Sequence, residues 1–510
     1  MGKMGANTIA NIISKLWSTI SIYLFVPLYI YYLGETAYGL VSFFATLQAA
    51  MNLLGLGLSN TLRREFAVGD REDVQNGTRK YKLLRSIELI YYGIGVIISA
   101  ICIFGSDFIS SKWLDVESLD PNLVSTVIML MGFSIALQLV ANLYLGCLFG
   151  MEMQVRGNIY CVIWSALKSV GSLAIIVWIV PDLVMFYSWH IVTDILYLVI
   201  LRVAILRHLK YDKNEKWHVR DFSNLQTIWK YTLGILVISF VALINKQLDK
   251  MIISGYLVLT ELGAYNTATT LGGLSTILPA ALYTSIFPRF TGKISMKGQE
   301  QALAEEFITI NKLTNISVSC IGAFIAMFSQ QLILIWTHSE VYAELLPVVA
   351  PIVVMAITLI EYQEIPYALA LAHGNTKTNV IVGSSFIPVT AVSTWLSIKY
   401  YGLLGAACVY LVIMLLQTLI YEFLIYKKYI TKHPVLLILR DTLLPLAAAL
   451  AVSFLFRMMV LSLTDSLLMQ VILAVGTGGF SLGAFLILFG RKEIFSVIQS
   501  IKAKKSISKT

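Results

Sequence analysis

Residues 7–33 read NTIANIISKLWSTISIYLFVPLYIYYL, twenty-seven residues whose single charge is Lys15. As a helix rising 1.5 Å per residue this stretch is about 40 Å long, more than the ~30 Å of hydrocarbon in a bilayer. It is too long for the core of a signal peptide and no small-residue cleavage pattern follows it, so it is read as a retained first span. Runs of the same kind recur at 38–62, 83–105, 122–149, 158–180, 183–206, 229–255, 262–288, 307–334, 345–371, 379–398, 403–426, 436–461 and 467–489. The expectation is an all-α integral membrane protein of about fourteen spans. Composition agrees: 57% of the 510 residues are hydrophobic and 13% charged, against about 45–50% and about 25% in soluble domains. Fourteen spans of ~20 residues use ~280 residues, and no linker is long enough for a separate soluble domain.

The net charge of +9 would suggest nucleic acid in a soluble protein, but the position of the basic residues gives it another meaning. Thirty Lys and Arg fall at one set of span ends, and only Lys112 and Lys399 at the other. That asymmetry places both termini in the cytoplasm and predicts attraction to anionic lipid. Cys102, Cys147, Cys161, Cys320 and Cys408 all lie in apolar stretches without disulfide or metal-ligand spacing, and read as small buried hydrophobes.

A repeat emerges when the first and seventh spans are superposed at an offset of 224 residues. Tyr32, Leu33, Thr36, Gly39, Thr46 and Leu47 then coincide with Tyr256, Leu257, Thr260, Gly263, Thr270 and Leu271. Six spans per repeat is an even number, so the repeats would run parallel; shared membrane composition is the competing explanation. The division expected is 1–228 (spans 1–6), 229–430 (spans 7–12) and 431–510 (spans 13–14 and a basic cytoplasmic tail).

The first two spans carry Pro27-Leu-Tyr-Ile-Tyr-Tyr-Leu-Gly34, Tyr38-Gly39-Leu40 and Gly55-Leu-Gly57-Leu, and close on Arg63-Arg64-Glu65. The seventh and eighth carry Leu262-Gly-Ala-Tyr-Asn266 and Phe287-Pro-Arg289. These stretches resemble the polysaccharide transporter family, the O-antigen-type lipid-linked oligosaccharide flippases of the multidrug/oligosaccharidyl-lipid/polysaccharide exporter superfamily. The resemblance implies two pseudo-symmetric six-helix lobes around a central cavity, alternating access, and two appended C-terminal helices. It also implies a bacterial cytoplasmic-membrane protein whose cargo is a polyprenyl-diphosphate-linked oligosaccharide, with polysaccharide polymerase and chain-length proteins as partners. Multidrug members place an acidic coupling residue in the first span; here that span has Lys15 and no carboxylate.

Charges at membrane depth are costly, so each is a functional hypothesis. Span 7 holds Asn245, Lys246, Asp249 and Lys250, with 246 and 250 on one face and 249 beside them. Either this is a cationic cavity wall for a diphosphate, joined by Lys15, or an internal Lys-Asp pair with Lys250 snorkelling outward. Span 10 holds Glu361 and Glu364 just before Pro366, which would couple transport to a proton or sodium ion or pair with lysines. Lys168 of span 5 and Asp194 of span 6 are expected to pair across adjacent helices. His190, four residues before Asp194, reads as a proton relay or as packing. Arg202 and Arg457, near span ends, are expected to snorkel. Arg63, Arg64 and Arg289 lie at matching cytoplasmic ends, either capturing an anionic headgroup or serving as topological anchors.

No phosphate-binding Gly-rich loop, His-Glu-x-x-His or nucleophile triad stands out, so neither an ATP-driven pump nor an enzyme is expected, and no cofactor or resident metal. A membrane glycosyltransferase would need a large outer loop, whereas the longest expected here, Asp107–Asn122, is short. The alternative to a flippase is an ion-coupled exporter of small amphipathic or cationic compounds.

Overall fold

The computed structural model describes residues 3–67, 74–117, 119–212, 223–296, 298–430 and 433–507. The described residues are nearly all helical, and their only β pairing is an isolated bridge between Asp115 and Val258. They pack as two compact units, Met1–Gly263 and Ala264–Thr510.

The first unit contains α1 (Lys3–Leu33), α2 (Glu35–Ala67), α3 (Val74–Phe108), α4 (Pro121–Gly150), α5 (Gln154–Trp178), α6 (Leu183–His208) and α7 (Ser223–Tyr256). Apolar on all sides, α4 takes the central place such a helix requires, packing against α2, α3 and α6. α1 packs on α5, and α7 on α2. Asp120 and Asp182 start α4 and α6 by accepting hydrogen bonds from the backbone N–H groups of Asn122 and Met185, at 3.0 and 3.1 Å, and Pro121 fits the first helical turn. Leu84, Ile87, Tyr91, Leu143, Tyr144 and Leu201 form the centre of the core.

α8 (Leu259–Gly272) crosses into the second unit, which continues with α9 (Ile277–Ile294), α10 (Glu300–Met327), α11 (Ser329–Thr337), α12 (Glu340–Leu345), α13 (Val349–Glu361) and α14 (Glu364–Ala372). α15 (Lys377–Tyr429), α16 (Pro434–Ile438), α17 (Leu444–Leu463) and α18 (Leu467–Ile507) complete it. α10 is the buried centre here, with α13, α17 and α18 against it.

Eleven helical stretches among the described residues are long and apolar enough to cross a membrane. One of them is α15, 53 residues long, in which Gly402 adopts φ 57°, ψ −141°. The chain folds back so sharply there that a Cβ on Gly405 would meet the Ser397 carbonyl oxygen at 2.4 Å. α2 and α7 also exceed the ~20 residues that a crossing needs.

Several expected boundaries shift for local reasons. α3 runs on to Phe108 and then into a π-helical turn, Ile109–Trp113, because the hydroxyls of Ser106, Ser110 and Ser111 bond back to carbonyls of the preceding turn. The outer connection expected from Asp107 to Asn122 therefore shrinks to residues 114–120. The span expected over 345–371 breaks between Glu361 and Glu364, since Pro366 has no N–H for the Tyr362 carbonyl and its ring crowds it. The span over 307–334 is interrupted at Phe328, and the basic tail continues α18 as helix to Ile507.

Candidate functional site

Among the described residues of the first unit, a dense polar constellation is built around Asp194, 1% exposed. Ser134 and Gln138 lie one turn apart on α4, Trp164 and Lys168 one turn apart on α5, and both pairs converge on this α6 carboxylate. Ser134 Oγ donates to Asp194 Oδ2, as does Gln138 Nε2 at 2.9 Å. Trp164 Nε1 reaches Oδ1 at 3.0 Å and Lys168 Nζ reaches it at 3.3 Å. Gln48 of α2 donates to Gln138 in turn. Lys168 also lies 5.2 Å from the Trp164 ring centroid and 5.8 Å from that of Phe44, so its charge is met by a carboxylate and two ring faces. A buried pair with this many donors meets the requirement that such charges be fully hydrogen-bonded.

His190 lies one turn before Asp194 but does not join this network. Its ring packs 4.4 Å from Phe186, 5.2 Å from Tyr187 and 6.1 Å from Phe44, centroid to centroid. His190 Nδ1 is buried without a hydrogen-bond partner among the described residues.

α7 places its polar residues unevenly. Lys246 is exposed, Asn245 and Lys250 are half-buried and Asp249 is buried. Asn245 Nδ2 donates to the Val241 carbonyl at 2.8 Å, within its own helix. Lys15 is exposed on α1. Arg63, also exposed, lies 5.5 Å from the Phe149 ring centroid. The Arg64 side chain lies outside the described residues. Arg289 pairs with Glu306, whose other oxygen is 2.7 Å from Lys293 Nζ, so an incoming anion would compete with that carboxylate.

In the second unit Glu361 is buried at the end of α13 and Glu364 half-buried at the start of α14. The helix break lies between them, so they do not share one continuous helical face. Within the break, Gln363 Nε2 donates to Thr418 Oγ1 at 2.8 Å, and Thr418 Oγ1 donates to the Leu359 carbonyl at 2.8 Å. No group of three or more His, Cys, Asp or Glu side chains among the described residues is arranged to hold a metal ion.

Two further carboxylates are buried as deeply. Glu422, 0% exposed, accepts from Tyr426 at 3.0 Å and Thr442 at 3.1 Å, with Asn311 on the Tyr426 hydroxyl and Asn315 on Thr442. Glu88, 2% exposed, is held by Arg85, by Arg202 Nε at 3.1 Å, and by the Tyr144 hydroxyl. Arg202, expected to snorkel, contacts Glu88 through Nε while its side chain stays 42% exposed. Ile87-Glu-Leu89 and Tyr421-Glu-Phe423 stand close to the ends of spans 3 and 12, where an apolar run alone does not single out an enclosed carboxylate.

A family profile described as polysaccharide biosynthesis protein matches residues 4–292. No curated protein matches the sequence. Among solved structures, the lipid II flippase MurJ in an inward closed conformation is similar with a TM-score of 0.72 at 12% identity, over 96% of this chain and 99% of that one. An inward-facing multidrug resistance MATE family transporter of the MOP superfamily is similar with a TM-score of 0.67 at 13% identity, over 84% and 98%. A MOP superfamily transporter from Pyrococcus furiosus reaches 0.52 at 14% identity, over 85% and 94%. At these identities the likeness is one of fold.

Proposed function

This chain belongs to the polysaccharide biosynthesis protein family, and from that premise we propose that it is a flippase carrying a polyprenyl-diphosphate-linked oligosaccharide across the bacterial cytoplasmic membrane by alternating access. Family membership carries this reading, and a fold shared along nearly its whole length with a flippase of a lipid-linked glycan supports it. In this proposal the chain has fourteen spans, two six-helix lobes at 1–228 and 229–430 and an appended pair within 431–510, with both termini cytoplasmic. Lys246, with Lys15 and Lys250, holds the diphosphate as point charges. Arg63, Arg64 and Arg289 assist entry of the headgroup, Arg289 by exchanging Glu306 for phosphate. Glu361 and Glu364 couple the cycle to a proton or sodium ion, and polymerase and chain-length proteins receive the product.

The test is purified protein in vesicles offered a fluorescent polyprenyl-diphosphate glycan and, separately, a cationic dye. Glycan-lipid translocation without dye export is expected. Lys246→Ala should slow it about tenfold or more, the equivalent of one charge-assisted contact. Dye export without glycan-lipid translocation would instead favour the extrusion reading, which the fold shared with a multidrug transporter keeps open.

A further inference from the structure

An apolar groove of about 570 Å³ runs along the first unit between α3 and α4, with Leu198 of α6 at its side. Its floor is Gly95 and Ala136, residues too small to fill it, and its walls include Val96, Phe104 and Phe133. Phe104 and Val96 are 87% and 68% exposed, so the groove opens outward from the bundle. One end is Tyr92, whose hydroxyl lies 3.5 Å from Glu88 Oε1 and 3.2 Å from the Tyr144 hydroxyl. The groove therefore terminates at the cluster in which Arg85 and Arg202 share Glu88.

We propose that this groove seats one anionic glycerophospholipid of the cytoplasmic leaflet, its acyl chain along α3 and its phosphate between Arg85 and Arg202. Length is the first argument: from Tyr92 to Phe104 the helix rises about 18 Å, close to one leaflet of a ~30 Å hydrocarbon layer. A long polyprenyl tail would overrun it. Depth is the second, since the cluster lies at the Lys- and Arg-rich ends of α3 and α6, where the inner-leaflet phosphates are. Charge is the third. Two guanidiniums against one carboxylate leave +1, and the arginine side chains are 34% and 42% exposed while Glu88 is 2%. Each guanidinium has five donors, more than the two oxygens of Glu88 can take up, and its planar fork suits a phosphate. With Glu88 enclosed, no carboxylate in the cluster faces outward to receive an ammonium, so the site selects phosphatidylglycerol over phosphatidylethanolamine.

Native mass spectrometry of the purified full-length protein with dioleoyl-phosphatidylglycerol, dioleoyl-phosphatidylethanolamine and undecaprenyl phosphate tests this. Phosphatidylglycerol is expected to bind about tenfold more tightly than phosphatidylethanolamine, the worth of one added ionic contact. The Arg85→Gln/Glu88→Gln/Arg202→Gln variant, in which no buried carboxylate is left unpaired, should lose that preference. Ala100→Phe, which fills the groove from its half-exposed flank, should weaken both phospholipids while leaving the arginines in place. Because Ala100→Phe does not touch the ionic cluster, it decides the matter even where the triple variant fails to fold. Equal binding of the two phospholipids by the unaltered protein, or a preference surviving in the triple variant, would overturn the proposal. So would undecaprenyl phosphate displacing phosphatidylglycerol from the unaltered protein but not from Ala100→Phe, which would make the groove a seat for the carrier tail.

Discussion

Asp194 of α6 is satisfied by four residues from two neighbouring helices, Ser134 and Gln138 of α4 and Trp164 and Lys168 of α5, so removing it orphans more than one partner. Asp194→Leu alone should cost about 3–5 kcal/mol, because Lys168 is then a buried charge without its counter-ion. Adding Lys168→Met should recover most of that loss; thermal unfolding followed by tryptophan fluorescence distinguishes the two. His190→Phe keeps the ring contacts with Phe186, Tyr187 and Phe44 and should leave both unfolding temperature and glycan-lipid translocation unchanged. Loss of translocation at an unaltered unfolding temperature would assign the imidazole a proton role. The Lys168–Asp194 pair is legible in the sequence because each residue stands alone in the middle of an apolar run. Glu88 and Glu422 are not, because they lie nearer span ends, where hydropathy does not distinguish a carboxylate reaching water from one enclosed. Their enclosure depends on Arg202, Tyr144 and Thr442, which come from other helices.

Helices approach closely where the sequence supplies glycine. A Cβ on Gly39 of α2 would fall 2.0 Å from the Leu259 carbonyl oxygen at the start of α8, and nearby Thr36 Oγ1 meets Thr260 Oγ1 at 3.0 Å. Both Thr36 and Thr260 belong to the set that coincides at the 224-residue offset, so equivalent positions of the proposed repeat touch each other. Gly39→Ala must push the two backbones apart and should cost about 1–3 kcal/mol, as overpacking does, with a lowered unfolding temperature as the readout. Apolar runs reveal where a helix can cross a bilayer and nothing about where it ends in water, which is why α3 and α18 outrun their expected limits. Breaks inside a span are partly legible: Pro366 signals the interruption at Tyr362 and Gln363, whereas the one at Phe328 has no Pro or Gly beside it.

Across the whole chain, the number of crossings depends on how the longest helix is divided. Residues 377–429 are two helical arms that meet at Gly402, whose non-helical backbone turns the chain back on itself. A positive φ joined to a strongly negative ψ is tolerated by glycine and costs other residues about 1–3 kcal/mol. Gly402→Val should therefore lower the yield of folded, membrane-inserted protein, measured by the protease-resistant fraction, more than the same change at Gly479, where an added Cβ meets nothing within 4 Å. A one-residue turn leaves the two arms almost no slack to enter the bilayer separately. They are expected to partition as a preformed hairpin, with Lys377 and the pair Lys427 and Lys428 held on the side of synthesis while only Lys399 is carried across. In the proposed topology, translocating that one lysine would be the electrostatic barrier to the biogenesis of this part of the protein. Replacing it with a neutral residue should speed insertion without altering the finished fold.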